Sequence, residues 1–246
     1  MSDRPVVWSY GGGTQSVANG DLPRPERVVI ADTGREAQET WDYTRDHVNP
    51  LLAHVDLVVE VAPHSLATVD LYAKNGDLLL PVFTSNGGKM PTLCSNEWKK
   101  RVIQRWCRAQ GYGPKNPLAM WLGISVDEVH RAKPSGVDWM EYTWPLLTEI
   151  PRRRDECVAL VQRNGLPEPP RSACWMCPHR NNAEWRDIRE TGDWDKAVAL
   201  EREAQAKDGR DGGIYLHRQM VPLSEAEIDA DNLDLFDVCD SGFCFV

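Results

Sequence analysis

The sequence predicts an α/β protein: a twisted, mainly parallel sheet with helices on both faces, followed by a helical C-terminal segment. Three observations carry this. Apolar runs of strand length, Val6–Trp8, Val28–Ala31, Val55–Val61 and Leu118–Ile124, are separated by stretches with room for a helix. Three of these runs lead into glycine, hydroxyl or carboxylate residues, the composition of turns at the carboxyl ends of parallel strands. After residue 150 the strand-like runs stop and helical periodicity takes over. The expected division is therefore 1–150 for an α/β core and 151–246 for a helical segment packed on it.

In order, Val6-Val7-Trp8 is the first strand, and it runs into Ser9-Tyr10-Gly11-Gly12-Gly13-Thr14-Gln15-Ser16. Only a short helix fits before Gly20-Asp21-Leu22-Pro23. From Thr14 to Arg27 the chain has 14 residues, near the minimum of roughly a dozen for a parallel crossover. Val28–Ala31 is the second strand. Thr40 to about His54 has helical spacing of Trp41, Val48, Leu51 and Leu52. Val55–Val61 is the third strand, Asp70–Leu80 is expected to be helical, and Pro81–Pro91 reads as a loop able to cover a site. A helix opens at Thr92-Leu93-Cys94 and continues to Ile103. Leu118–Ile124 is the fourth strand. Helices are expected at Arg152–Asn164 and Asp193–Ala206.

Composition bounds the function. Lys+Arg 28 against Asp+Glu 37 gives a net charge of −9, against a broad basic field for nucleic acid. No apolar run has the length of a membrane span, and Met-Ser-Asp-Arg-Pro lacks a secretory h-region. A cytoplasmic location is expected, so the 7 Cys point to metal or redox chemistry rather than disulfides.

Two stretches carry the chemistry. Strand, glycine run and helix start form a geometry that binds phosphate, because glycines let backbone N–H groups approach an anion and Ser9, Thr14 and Ser16 add hydroxyls. It matches neither the Walker loop nor G-x-G-x-x-G, and a tight turn after a strand gives the same pattern. The second stretch is Ser172-Ala173-Cys174-Trp175-Met176-Cys177-Pro178. A Cys-x-x-Cys puts two sulfurs on one metal or makes a dithiol, and a proline after the second Cys is common beside iron–sulfur ligands. Cys94 at a helix start is either an activated thiol or a small buried residue; Cys107 reads as the latter.

Together these residues resemble the PP-loop superfamily of ATP pyrophosphatases, in its phosphoadenosine phosphosulfate (PAPS) reductase-like branch. Members read S-[YF]-G-G-G-x-x-S and then A-D-T-G-x-E, as Ser9–Ser16 and Ala31–Glu36 do here. Cys94 and Lys99 match a Cys-Thr followed by Lys, with Ser95 for Thr. Leu122–Arg131 keeps every fixed position of L-G-I-x-x-D-E-x-x-R. Ser172–Pro178, Trp185 and His217 match a later pattern, and Cys244 matches a tail cysteine, with Cys239 displaced by one residue.

The resemblance runs from Val6 to the C-terminus and implies an adenine nucleotide alpha hydrolase-like fold. It implies that Ser9, Gly11, Gly12, Gly13, Thr14, Gln15 and Ser16 hold phosphates and that Asp32, Thr33 and Gly34 lie beside the nucleoside. Lys99, Arg131 and Glu128 would be catalytic. Cys94, Cys174, Cys177 and Cys244 would bind a [4Fe–4S] cluster, with Zn²⁺ as the alternative and ATP with Mg²⁺ as cosubstrate. Gln15 stands where many relatives have Asp, and the Glu-Cys-Gly-x-His ending of PAPS reductases is absent.

Three functions follow. The first is an ATP-dependent enzyme that adenylates a nucleotide or nucleic-acid substrate and acts as a sulfurtransferase, with a sulfur-donor protein as partner. The second is reduction of a PAPS-like sulfonucleotide. The third is a non-catalytic nucleotide-binding subunit with structural zinc. No membrane partner is expected.

Overall fold

The protein is described here by a computed structural model, which covers residues 4–19, 22–64, 70–86, 88–209 and 213–230. Strands β1 (Val6–Ser9), β2 (Arg27–Ala31) and β3 (Val59–Ala62) join β6 (Leu118–Leu122) and β7 (Met140–Thr143) in one five-stranded sheet. Its order is β3-β2-β1-β6-β7 and every pair is parallel. The chain winds from β1 outward to β3, then returns to add β6 and β7 on the other side. The winding reverses between β1 and β6, which is the place where such sheets bind ligands, at their carboxyl ends. The expected fold class is thus the observed one.

Side-chain alternation puts helices on both faces. Trp8, Tyr10, Val28 and Ile30 pack against α1 (Thr14–Ala18), against a long helix and against α6 (Arg154–Arg163). That long helix comprises α2 (Gln38–Tyr43), a π-helical turn at Thr44–Val48, and α3 (Asn49–Ala53). The alternate residues Val7, Val29, Ala31 and Met120 pack against Val102, Ile103 and Trp106 of α4 (Arg101–Ala109). A π-helical turn, Ser95–Lys100, leads into α4. The short first helix is as expected: α1 has 5 residues.

A second apolar core lies beside the sheet. It joins Leu78, Leu80, Val82 and Trp98 to Met176, Trp185, Ala197 and Ile214. Its helices are α7 (Asn182–Arg189) and α8 (Asp193–Lys207), and a helical turn, α5 (Pro145–Thr148), precedes α6 in the chain. The cores do not divide at residue 150. Helix α6 belongs to the first core through Cys157, Leu160 and Val161, whereas residues 71–98 contribute to the second.

Two local expectations are corrected. Residues 70–80 are not helical: Tyr72 and Leu78 form an antiparallel bridge, because Asn75-Gly76 turns the chain and Gly76 takes a φ of 87°. The stretch after Pro81 is not an open loop. Strands β4 (Phe83–Thr84) and β5 (Gly88–Lys89) pair antiparallel, and β4 also pairs with β8 (Ile214–Tyr215). The sequence reading contains no β7, α5 or α7: β7 and α5 are 4 residues each, whereas α7 carries its own signal, the Asn181–Glu184 capping box followed by buried Trp185 and Ile188. No helix among the described residues is long and apolar enough to cross a membrane.

Candidate functional site

A cleft opens at the reversal point of the sheet. It is lined at one end by Ser9, Tyr10 and Gly11, along its walls by Ile30, Met120, Leu122 and Ile103, and over the top by Ser95, Lys99 and Lys100. Its cavity volume is about 40 Å³, well below the roughly 300–1,000 Å³ of small-molecule sites, so a nucleotide has to open it on entry. The π-helical turn matters here: its extra residue per turn brings Ser95, Lys99 and Lys100 to the same cleft.

The glycine loop is held by its own residues and by the Cys-x-x-Cys segment. Ser16 Oγ accepts the Gly11 N–H at 2.8 Å, and Val17 N–H donates to Gly13 O at 3.0 Å. Ser172 Oγ donates to the Gly11 carbonyl. Gly12 has a φ of 80°, and a Cβ there would stand 2.4 Å from Thr40 Cγ2. A Gly12→Val change would disturb the backbone and α2, so it would not report on phosphate alone. Thr14, Gln15 and Ser16 are buried in α1. With only 5 residues in that helix, the loop backbone rather than a helix dipole has to supply an anion's partners.

The Asp32–Glu36 turn lies directly beneath the cysteines. Asp32 Oδ1 accepts the Gly34 N–H at 2.7 Å, and its Oδ2 pairs with His64 Nδ1 at 3.1 Å. Thr33 Oγ1 lies 3.7 Å from Cys174 Sγ, and Trp175 N–H donates to Arg35 O at 2.9 Å. Glu36, part of the motif but not singled out from sequence, is the pivot. One carboxylate oxygen accepts from Lys99 Nζ at 3.0 Å, and the other is 3.8 Å from Cys174 Sγ. Burial, then the Glu36 charge, push the Cys174 thiol well up, against the pull of Lys99. Without a ligand or metal, this sulfur is protonated.

Arg131 and Glu128, by contrast, face each other. Their ion pair is 2.7 Å long and both side chains are 6% exposed. Neither lines the cleft. Burial raises the Glu128 carboxyl and Arg131 pulls it back. Asp127, next to it, accepts the Arg154 N–H at the start of α6.

Cys94, Cys174 and Cys177 line one cavity with Lys99, Trp98, Met176 and Pro178. Arg180 holds the segment from behind, donating to the carbonyls of Ala173 and Cys174. Among the described residues no three His, Cys, Asp or Glu side chains are grouped to hold one metal ion, so these donors do not fit a zinc site by themselves. Cys244 and Cys239 lie outside the described residues. Cys107 and Cys157 are buried elsewhere, and burial pushes both thiols up to about 12.

His179 and His217 are structural. His179 sits between Lys89 Nζ at 3.0 Å and Thr92 Oγ1 at 3.1 Å, and burial lowers its pKa to about 4. His217 meets Asn182 Oδ1 at 3.0 Å through Nε2 and accepts the Gln219 N–H at Nδ1, and burial likewise lowers it to about 4. An unfolded imidazole takes a proton near pH 6.5, so acid favours the unfolded chain between pH 6.5 and 4. The stability advantage of the wild type over His217→Asn is therefore expected to shrink by up to about 1.4 kcal/mol per pH unit across that window. Urea unfolding of both proteins at pH 7.5 and 5.0 checks it, and an advantage that does not change with pH contradicts it.

Fold and cleft together define a doubly wound parallel-sheet protein with a glycine loop at its reversal point. No protein-family model matches the chain, and no curated protein does. Among solved structures it is similar to the crystal structure of phosphoadenylyl-sulfate (PAPS) reductase from Candida auris in a phosphate complex. Identity is 15%, the TM-score is 0.45, and the match covers 68% of this chain and 76% of that one.

Proposed function

We propose that the chain binds ATP with Mg²⁺ in the cleft, adenylates an oxygen of its substrate, and acts as a sulfurtransferase on a nucleotide or nucleic acid. One observation carries the reading. The Cys-x-x-Cys segment is seated on both ligand-binding turns, through Ser172 to Gly11 and through Cys174 to Thr33 and Glu36. Phosphate chemistry and sulfur chemistry thereby share one site.

In this reading the glycine-loop backbone and Ser9 hold the phosphates. Ser9 projects at the end of β1, where the departing pyrophosphate would lie. AMP is a good leaving group, so a sulfur nucleophile can attack the carbon that bears the activated oxygen; the C–S bond forms, the C–O bond breaks, and AMP leaves carrying that oxygen. Preformed donors that meet charge developing on the pyrophosphate lower the barrier. Lys99, fixed by Glu36, presents a cation to that charge while its partner keeps the ammonium in place. The apolar walls exclude water from the adenylate.

The [4Fe–4S] cluster belongs to the same proposal. Cys94, Cys174 and Cys177, which line one cavity, would hold it, and the fourth ligand would be Cys244, with Cys239 second. Bound there, a cluster would supply electrons or a transferable sulfide. Reduction of a PAPS-like sulfonucleotide is the second reading, favoured by the same adjacency of a thiol to the cleft.

The test is a calorimetric titration with Mg–ATP and with PAPS, followed by product analysis. Binding of Mg–ATP and pyrophosphate release with a nucleic-acid acceptor are expected. Sulfite formed from PAPS without ATP would move the assignment to the second reading.

A further inference from the structure

The chain has a net charge of −9, yet residues 98–126 hold six Lys and Arg and no Asp or Glu. The six are Lys99, Lys100, Arg101, Arg105, Arg108 and Lys115. The segment runs from the end of the π-helical turn through α4 and the turn after it to β6. The helix period sorts its side chains. Val102, Ile103 and Trp106 pack α4 on the sheet. Arg101, Arg105 and Arg108, spaced i, i+4 and i+7, form one exposed stripe turned away from it. Arg101 is paired with Glu97 at 2.7 Å. Arg105, Arg108 and Lys115 have no carboxylate partner among the described residues.

The stripe continues past the helix. Arg108 lies over the Trp139 ring, 5.0 Å from its centroid, and a Cβ on Gly113 would stand 3.9 Å from Arg108 Nη1. Gly113 and Asn116 bridge to each other, which puts Lys115 at the tip of a tight turn beside Arg108. Arg4, Arg108, Pro114, Pro117, Asp138 and Trp139 line one open groove of about 520 Å³. It lies where the chain enters β1, β6 and β7, three neighbouring strands, so it is at the opposite end of the sheet from the cleft. Asp138 lines the groove and Arg4 is paired with Glu141 at 3.1 Å. The uncompensated charge therefore lies on α4 and its turn.

This surface presents cations without a stacking platform, because Trp139 is buried and Arg108 covers its ring. Such a surface suits a repeated anion read for charge rather than for base identity. The helix rises about 12 Å from Lys100, in the cleft wall, to Arg108. A backbone laid along the stripe passes the mouth of the cleft within a few nucleotides. We propose that the exposed face of α4, together with Lys115, docks the phosphodiester backbone of a nucleic-acid acceptor. The inference rests on the acceptor being a nucleic acid rather than a free nucleotide.

The experiment is fluorescence anisotropy with a labelled RNA hairpin and the DNA hairpin of the same sequence, at about 50 and 200 mM salt. Wild-type protein should bind at least one of them saturably, and the better bound identifies the sugar. Arg105→Gln/Arg108→Gln/Lys115→Gln should weaken that binding at least about tenfold and flatten the slope of log affinity against log salt by about 2. Arg105→Gln/Lys115→Gln leaves the contact with Trp139 intact and should still weaken it severalfold. A control, Arg45→Gln/Arg189→Gln/Lys207→Gln, makes the same change in net charge at exposed ion pairs elsewhere and should bind as wild type does. Mg–ATP affinity should be the same in all four proteins. Mg–ATP binding without hairpin binding, or a loss that is equal in the stripe and control variants, overturns the docking surface alone. Binding of a labelled polyglutamate peptide but of neither hairpin assigns the face to an acidic protein and overturns the proposal. Hairpin binding as expected without Mg–ATP binding upholds the surface and overturns only the nucleotide site.

Discussion

Lys99→Ala is expected to destabilise the fold by about 3–5 kcal/mol, the cost of leaving one member of a buried ion pair alone. The Glu36 side chain is 2% exposed and that of Lys99 is 11% exposed. Removing the ammonium strands a carboxylate next to the protonated Cys174 thiol. Any loss of turnover in this variant therefore mixes chemistry with folding. The double variant Glu36→Gln/Lys99→Met removes both charges, and it should recover most of the lost stability while still lacking the cation at the cleft. Urea unfolding of the two single variants and the double gives the coupling energy directly. A Lys99→Ala protein within about 0.5 kcal/mol of wild type would mean that Glu36 finds water in solution and that the pair is not closed.

Gly123→Ala is the second large effect. A Cβ at Gly123 would stand 2.7 Å from Ser16 N and 2.8 Å from Gln15 C. Both are backbone atoms, so a rotamer change cannot relieve the contact. The loop after β6 or the start of α1 must move, and α1 carries the glycine loop with it. Overpacking of this kind costs typically about 1–3 kcal/mol. Because the shift falls on the loop proposed to hold phosphate, Mg–ATP affinity should drop about tenfold or more, as one lost contact of 1.4 kcal/mol would cause. Thermal melting and ATP titration of the same preparation check both parts. Unchanged affinity in a Gly123→Ala protein would separate α1 from phosphate binding.

The sheet was legible because its central strands are continuous apolar runs, Val28–Ala31 and Leu118–Leu122, and because Gly11–Gly13 and Asp32–Gly34 mark where two of them end. The meeting of Cys94, Cys174 and Cys177 around one cavity was also readable from their motifs. What was not readable depends on long-range packing. The exception is local: Asn75-Gly76 is a turn signal in residues 70–80 itself, and it folds Tyr72 against Leu78 where a helix was expected. The strand β4 forms because β8, some 130 residues later, pairs with it. Arg131 and Glu128 carry motif positions suited to a substrate, but they neutralise each other inside the turn that follows β6. Glu36, visible in the sequence as the last letter of a motif, gains its importance only from Lys99 and Cys174 in three dimensions.

The most direct test of the central claim is a titration of the folded protein with Mg–ATP, repeated on Ser9→Leu. Ser9 lines the cleft at the mouth of the glycine loop, and a leucine there fills the space assigned to phosphate. The account predicts saturable binding to wild type and its loss in Ser9→Leu at an unchanged melting temperature. No binding to wild type, or equal binding to a folded Ser9→Leu protein, would contradict it.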